Sequence, residues 1–122
     1  MKSGNLYKVL FHIDSFDVNL LNIACNNAAN LITDKGVANV QVALVANYMA
    51  PKLFLKNILS QEMADKLALL TKTSNTFIYI CHNSMKNLGI DQEELVPICK
   101  VVPSGITKIV ELQSNGFAYI KP

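Results

Sequence analysis

Apolar residues along this chain change their spacing repeatedly, and each change marks an element. Residues 6–13 are a short run rich in β-branched and aromatic side chains, which predicts a strand. From 16 to about 34, Val18, Leu21, Cys25, Ala28 and Ile32 recur at helical spacing, and Phe16, Leu20, Ile23, Ala24 and Leu31 widen the same apolar face. Asp14 or Ser15 is placed to cap that helix. Its opposite row, Asn19, Asn22, Asn26 and Asn30, is polar but uncharged. Asparagine is a poor helix former, so packing has to hold this helix. The row reads as a solvated face first and as a wet subunit contact second.

Lys35-Gly36 closes the helix, and residues 37–46, nearly all apolar and β-branched, predict a strand covered on both faces. Asn47 follows directly. Pro51 opens a short helix through about residue 59, residues 61–70 predict another, and 71–75 a loop. Residues 76–80 predict the third strand and 82–88 the helix after it, stopped by Gly89. Asp91 caps a turn of helix at 92–95 that Pro97 ends, and 98–102 is a strand. Ser104 caps a helix to Ser114, Asn115-Gly116 ends it, and 117–120 is the last strand. Strands alternating with helices predict one domain over residues 1–122, a three-layer αβα sandwich on a five-stranded, mainly parallel sheet. The pattern does not give the strand order.

Composition sharpens this picture in two places. The chain has 122 residues, 51% of them hydrophobic and only 16% charged, where roughly 25% charged is usual. Too few charges to cover the surface predict a homo-oligomer with a buried subunit interface. The net charge is +2, from 11 basic and 9 acidic residues, with no arginine-rich patch. That argues against direct nucleic-acid binding. Residues 9–11 are cut short by His12 and Asp14, and 36–51 carry Asn39, Gln41 and Asn47. Neither a secretory leader nor a membrane span is expected, and a cytoplasmic location follows as the default. The three cysteines, Cys25, Cys81 and Cys99, are odd in number and lack short pair spacing. They predict neither a disulfide framework nor a zinc ribbon.

Chemistry concentrates at Cys81. It ends the third strand, and His82-Asn83-Ser84 begin a helix. A parallel sheet presents its chemistry outside the carboxyl ends of its strands, and a helix start favours thiolate over thiol. The amides of His82, Asn83 and Ser84, with the Asn83 and Ser84 side chains, are candidate donors to a sulfur anion. Cys25 lies in an apolar helix row and reads as packing, and Cys99 as buried or, second, as a redox partner. His12, at the end of the first strand, reads as a solvated or capping histidine and is the better-placed partner for Cys81, since the adjacent His82 cannot face it. Asp14 reads as a helix cap, and Asn47 stands beside it on the functional edge. Ser104 and Gly105 read as a cap first and an anion-binding helix start second. A zinc site using Cys81 and His12 lacks the usual ligand spacing, so no metal or other cofactor is predicted. The residues alone make Cys81 a candidate sulfur nucleophile or carrier, and two functions stay open. One is a persulfide carrier with sulfurtransferase-like activity. The other is a non-catalytic oligomeric module that binds a small ligand or a protein, with Cys81 only a pocket wall. A hydrolase has no visible nucleophile–base–orienter set.

Four blocks occur in order: Phe11-His12-Ile13-Asp14, Cys81-His82-Asn83-Ser84-Met85-Lys86-Asn87-Leu88-Gly89-Ile90, Val101-Val102-Pro103-Ser104-Gly105-Ile106, and the tail from Ile109 through Gln113-Ser114-Asn115-Gly116-Phe117-Ala118-Tyr119-Ile120 to Lys121-Pro122. Together they resemble the DsrE/DsrF-like family of small sulfur-relay-related proteins, over nearly the whole chain. The resemblance implies the αβα fold with its five-stranded sheet and a homotrimer or a hexamer of two trimers. It also implies persulfide carriage through the cysteine matching Cys81, in exchange with a sulfur donor or acceptor protein. The tail then belongs to the body of the fold, with Gln113 and Tyr119 structural.

Overall fold

The computed structural model describes residues 6–122. Five strands, β1 (Tyr7–Ile13), β2 (Val40–Ala46), β3 (Asn75–Cys81), β4 (Cys99–Val102) and β5 (Ala118–Ile120), form one sheet in the order β4-β3-β2-β1-β5. Every pairing in it is parallel. The helices are α1 (Val18–Lys35), α2 (Gln61–Thr73), α3 (His82–Leu88) and α4 (Gly105–Ser114).

The strand order dictates the layers. From β1 to β4 the chain steps across the sheet in one direction, so right-handed crossovers put α1, α2 and α3 on the same face. The step from β4 back past β1 to β5 runs the other way and puts α4 alone on the opposite face. The apolar contacts agree. Val9, Phe11, Val42, Leu44, Ile78 and Ile80 pack with Leu21, Cys25, Leu67 and Met85 from α1, α2 and α3. The alternate positions Leu10, Ala43 and Val45 pack with Ile109 and Leu112 of α4. Strand residues buried on both sides explain why β2 lacks an alternating polar pattern.

Several boundaries differ from expectation. Asp17 rather than Asp14 or Ser15 caps α1, its carboxylate accepting from the Asn19 amide at 2.9 Å. Residues 37–39 make a 3₁₀ turn rather than the start of β2. Gly36 at φ 91° and the Asn39 side chain, which donates to the Lys35 carbonyl, first satisfy the open end of α1. The segment after Pro51 gives only a 3₁₀ turn, Ala50–Phe54, anchored by the fully buried Phe54. Helix α2 runs on through the expected loop to Thr73, where the Thr73 and Ser74 hydroxyls bond back to the Leu69 and Leu70 carbonyls. The predicted apolar face of α1 is narrower than expected. Leu21, Cys25 and Ala28 are buried, whereas Phe16, Val18 and Ile23 are exposed.

Leu67 of α2 is fully packed while Leu69, one row away, faces water. Leu67→Ala is expected to cost about 2–5 kcal/mol through lost burial and the cavity left behind. Leu69→Ala is expected to stay within about 0.5 kcal/mol. Urea denaturation midpoints of the two variants check the assignment of that helix face.

Candidate functional site

Parallel strands deliver their carboxyl ends to one edge, and the residues singled out for chemistry gather there. β1 ends in His12, Ile13 and then Asp14; Asn47 follows β2; Cys81 closes β3; Ser104 and Gly105 follow β4. The chain leaves β3 towards the α1–α3 face and leaves neighbouring β4 towards the α4 face. Adjacent strands whose connections diverge leave a crevice between them, where α/β sheets bind ligands. Cys81 and Val102 are register partners at its base.

Cys81 occupies the N-cap position of α3, with φ −72° and ψ 116°. A serine or aspartate usually fills this slot, because the position needs an acceptor for a free helical amide. Here the sulfur accepts, from the Ser84 amide at 3.4 Å. Helix α4 approaches from the other side. A Cβ placed on Gly105 would lie 3.1 Å from the Cys81 Cβ, 3.1 Å from the Asn47 Cβ and 3.6 Å from the sulfur. A methyl group there would sit tighter than ordinary contact, and its absence lets the Gly105 amide reach Cys81. Burial pushes the Cys81 thiol up, but the Ser84 hydroxyl and the amides of Ser84, Gly105 and Asn83 outweigh it, and the thiol lies below its ordinary value of 9.0. The other two cysteines lack such donors. Burial, only partly offset by Lys66, pushes Cys25 to about 11, and burial alone pushes Cys99 to about 12.

The Ser84 hydroxyl is held in a two-way role. It accepts from the Tyr48 amide at 2.8 Å, which leaves its own proton for the sulfur. Tyr48 adopts φ 54°, the only positive φ among the described non-glycine residues, and is 71% exposed on the rim. This backbone costs about 1–2 kcal/mol and sits directly beside the site.

The remaining candidates divide. His12 is buried, at 9% exposure, rather than solvated or capping. Its Nε2 is 2.8 Å from Asn47 Oδ1 and its Nδ1 2.5 Å from the Tyr119 hydroxyl. β5 lies beside β1, and that places Tyr119 there, a polar partnership beyond the structural role expected of it. Asp14 does not cap α1; it pairs with Lys121 at 3.0 Å in an exposed bridge, the kind worth at most about 1 kcal/mol. Ser104 caps α4 by accepting from the Thr107 amide. The side chains of His82 and Asn83 are exposed, and at α3 the donors to sulfur are the Asn83 and Ser84 groups rather than the His82 amide. Cys99 points to the other face of the sheet. It pairs with Ile78, three residues below Cys81, a separation of about 10 Å along the strand. That span excludes a bridge within the chain, since disulfides need Cα atoms closer than about 7 Å. Among the described residues no cluster of three metal-ligating side chains occurs, and no helix is long and apolar enough to cross a membrane.

Comparison with known proteins places this geometry in context. The DsrE/DsrF-like family profile matches residues 10–122. The protein of unknown function MTH1491 from Methanobacterium thermoautotrophicum is 30% identical and superposes with a TM-score of 0.80, over 95% of this chain and 99% of that one. The ychN protein from E. coli is 13% identical with a TM-score of 0.76, over 96% of this chain and 100% of that one, and shares the fold alone. No curated protein matches.

The thiolate donors set a pH profile. A lowered pKa means that the thiolate fraction of Cys81 saturates at a lower pH than that of an ordinary cysteine. Alkylation by iodoacetamide, followed by peptide mass mapping, is expected to label Cys81 with a midpoint below 9.0 and to leave Cys25 and Cys99 unlabelled at neutral pH. Ser84→Ala removes a donor to a charged group and is expected to move the midpoint up. The rate at pH 7 should then fall about tenfold, one 1.4 kcal/mol step of hydrogen bonding to an ion. In a second test, Gly105→Ala puts a methyl group against Cys81 and Asn47. It should slow labelling of Cys81 while the thermal midpoint changes little, because alanine is a better helix former than glycine.

Proposed function

We propose that this chain, which belongs to the DsrE/DsrF-like family, is a single-cysteine sulfur carrier in which Cys81 takes up sulfane sulfur as a persulfide and hands it to an acceptor thiol. Membership fits a sulfur-relay-related role at the level of the family. The observation that carries the finer reading is the place of the Cys81 sulfur between two helix starts, accepting from the Ser84 amide at 3.4 Å with Gly105 of α4 packed against it. That arrangement suits an anion that must form, persist and leave.

Uptake is a transfer with no change in the number of electrons. The Cys81 thiolate attacks the outer sulfur of a hydropersulfide. A sulfur–sulfur bond forms to Cys81, the donor's own sulfur–sulfur bond breaks, and the donor leaves as a thiolate. Delivery is the same step with an acceptor thiolate attacking Cys81's outer sulfur. Neither Cys25 nor Cys99 is positioned to receive it, so the acceptor is another molecule. Cys81 is only 5% exposed, so the donor is a small sulfur compound or a narrow segment of a partner protein.

The working form is a homotrimer or a hexamer of two trimers. The support for assembly is the lightly covered α4 face, where Ile106 and Val110 on the helix are 60% and 57% exposed and Phe77 and Tyr119 on the strands beneath are also exposed. Exposed apolar side chains grouped in this way mark contact surfaces.

A second reading, an oligomeric binding module, is favoured by the apolar groove between Phe16, Val18, Leu53, Ile58 and Leu59, which does not include Cys81. The two part at one variant, because Cys81→Ala abolishes carriage and leaves binding in that groove intact.

Incubation with a low-molecular-weight hydropersulfide is expected to add about 32 Da, one sulfur atom, to Cys81. The gain should be absent in Cys81→Ser and reversed by a thiol acceptor. A wild-type protein that gains no mass under conditions that load a known carrier refutes the proposal. Native mass spectrometry of the same samples reads the subunit number.

A further inference from the structure

The donors on α3 and α4 serve the sulfur that belongs to Cys81. A persulfide carries a second sulfur, about 2.05 Å further out, and on ionisation the negative charge lies on that outer atom. A carrier therefore needs a further donor beyond the first sulfur, placed in the crevice.

The carboxyl ends of β5, β1 and β2 hold a hydrogen-bonded row: the Tyr119 hydroxyl, the His12 ring and the Asn47 amide. Its polarity is set by chemistry. Asn47 Oδ1 is an acceptor only, so His12 Nε2 carries the ring proton in the neutral form. Nδ1 is then the acceptor and receives the Tyr119 proton. The row runs as successive donors from Tyr119 to His12 to Asn47. It ends by turning Asn47 Oδ1 towards β1. The planar amide then directs Nδ2 along its other branch, and this nitrogen has no hydrogen-bond partner among the described residues.

Asn47 stands next to Cys81. Ala46 and Ile80 are register partners, so the following residues, Asn47 and Cys81, continue that alignment onto the α4 face. Both flank Gly105, with the same 3.1 Å approach from each Cβ to the methyl position that glycine leaves empty. The two side chains are therefore neighbours across the Gly105 backbone, and a second sulfur on Cys81 that turns away from that backbone comes within reach of the Asn47 amide.

We infer that the Asn47 side-chain amide holds the outer sulfur of the Cys81 persulfide, and that His12 and Tyr119 are positioning residues that aim it. This rests on the carrier reading of Cys81. A neutral amide suits the task because it stabilises the outer anion by hydrogen bonding and cannot protonate it. Buried His12 acts at one remove, as the clamp on the amide oxygen. Tyr119 fixes which ring nitrogen carries the proton.

The test separates the two sulfurs. Wild type, Asn47→Ala and Tyr119→Phe are loaded with glutathione hydropersulfide, freed of donor and mixed with a fixed excess of glutathione, whose thiolate takes the outer sulfur as Cys81 leaves as thiolate. Loss of the added mass, about 32 Da, is then followed by intact mass spectrometry. Iodoacetamide labelling of the unloaded proteins reads the inner sulfur separately. Asn47→Ala is expected to shorten the lifetime of the added sulfur about tenfold, the value of one hydrogen bond to an ion, and by clearly more than it slows labelling. Tyr119→Phe, which removes a single oxygen from a partly exposed ring, should give a smaller change of the same kind and keeps the test alive if Asn47→Ala folds poorly. Equal lifetimes in all three proteins, or losses matched by equal losses of labelling, overturn the role of Asn47 and leave Cys81 a carrier. A wild type that never loads overturns both.

Discussion

A parallel crossover turns right-handed, so the order β4-β3-β2-β1-β5 leaves no choice about where each helix lies. Three helices fall on one face because three steps run in one direction, and α4 falls on the other because the last step runs back. The connections leaving β3 and β4 therefore part, and the helices α3 and α4 both begin at the same crevice. Everything at Cys81 depends on this. One helix start supplies the Ser84 and Asn83 donors, and the other brings the Gly105 amide against the same sulfur at a distance that leaves little room for a side chain.

The three cysteines show that burial alone does not set thiol ionisation here. Cys25 and Cys81 are both buried and Cys99 is partly so. Desolvation opposes the thiolate at each of them, and at Cys25 and Cys99 it prevails. At Cys81 the same opposition is overcome by directed donors, the Ser84 hydroxyl first and then backbone amides that folding has already fixed. No entropy is lost in orienting them when the charge appears, which distinguishes a preorganised anion site from a thiol that happens to lie near polar groups.

What the sequence reveals follows the range of each interaction. The helix 82–88, its stop at Gly89 and its start at Cys81 are local, and all three stand in the structure as the residues predict. The Ser104 cap of α4 is local too. The misreadings come from competition or distance. Asp17 outcompeted Asp14 and Ser15 for the α1 cap because it sits directly before the first helical residue. Asp14 instead meets Lys121, and His12 meets Tyr119, each 107 positions away. Those contacts exist only because β5 pairs with β1, and nothing in the spacing of apolar residues reports which edge the last strand joins. His12 therefore looked solvated, and Tyr119 looked like scaffold. Gly105 read first as a cap, since its approach to Cys81 depends on α4 returning under the sheet.

The strained backbone at Tyr48 completes the argument about preorganisation. A tyrosine at φ 54° is unfavourable unless neighbouring contacts hold it, and its amide is held by the Ser84 hydroxyl. That bond uses one of the oxygen's two accepting positions and leaves the hydroxyl proton to donate to Cys81. A serine free to rotate would donate to sulfur only part of the time, and its contribution to the thiolate would fall accordingly. The strain in the β2 loop is thus coupled to the charge state of a residue at the end of β3, through one hydroxyl group. The same bond that orients Ser84 holds Tyr48 in place.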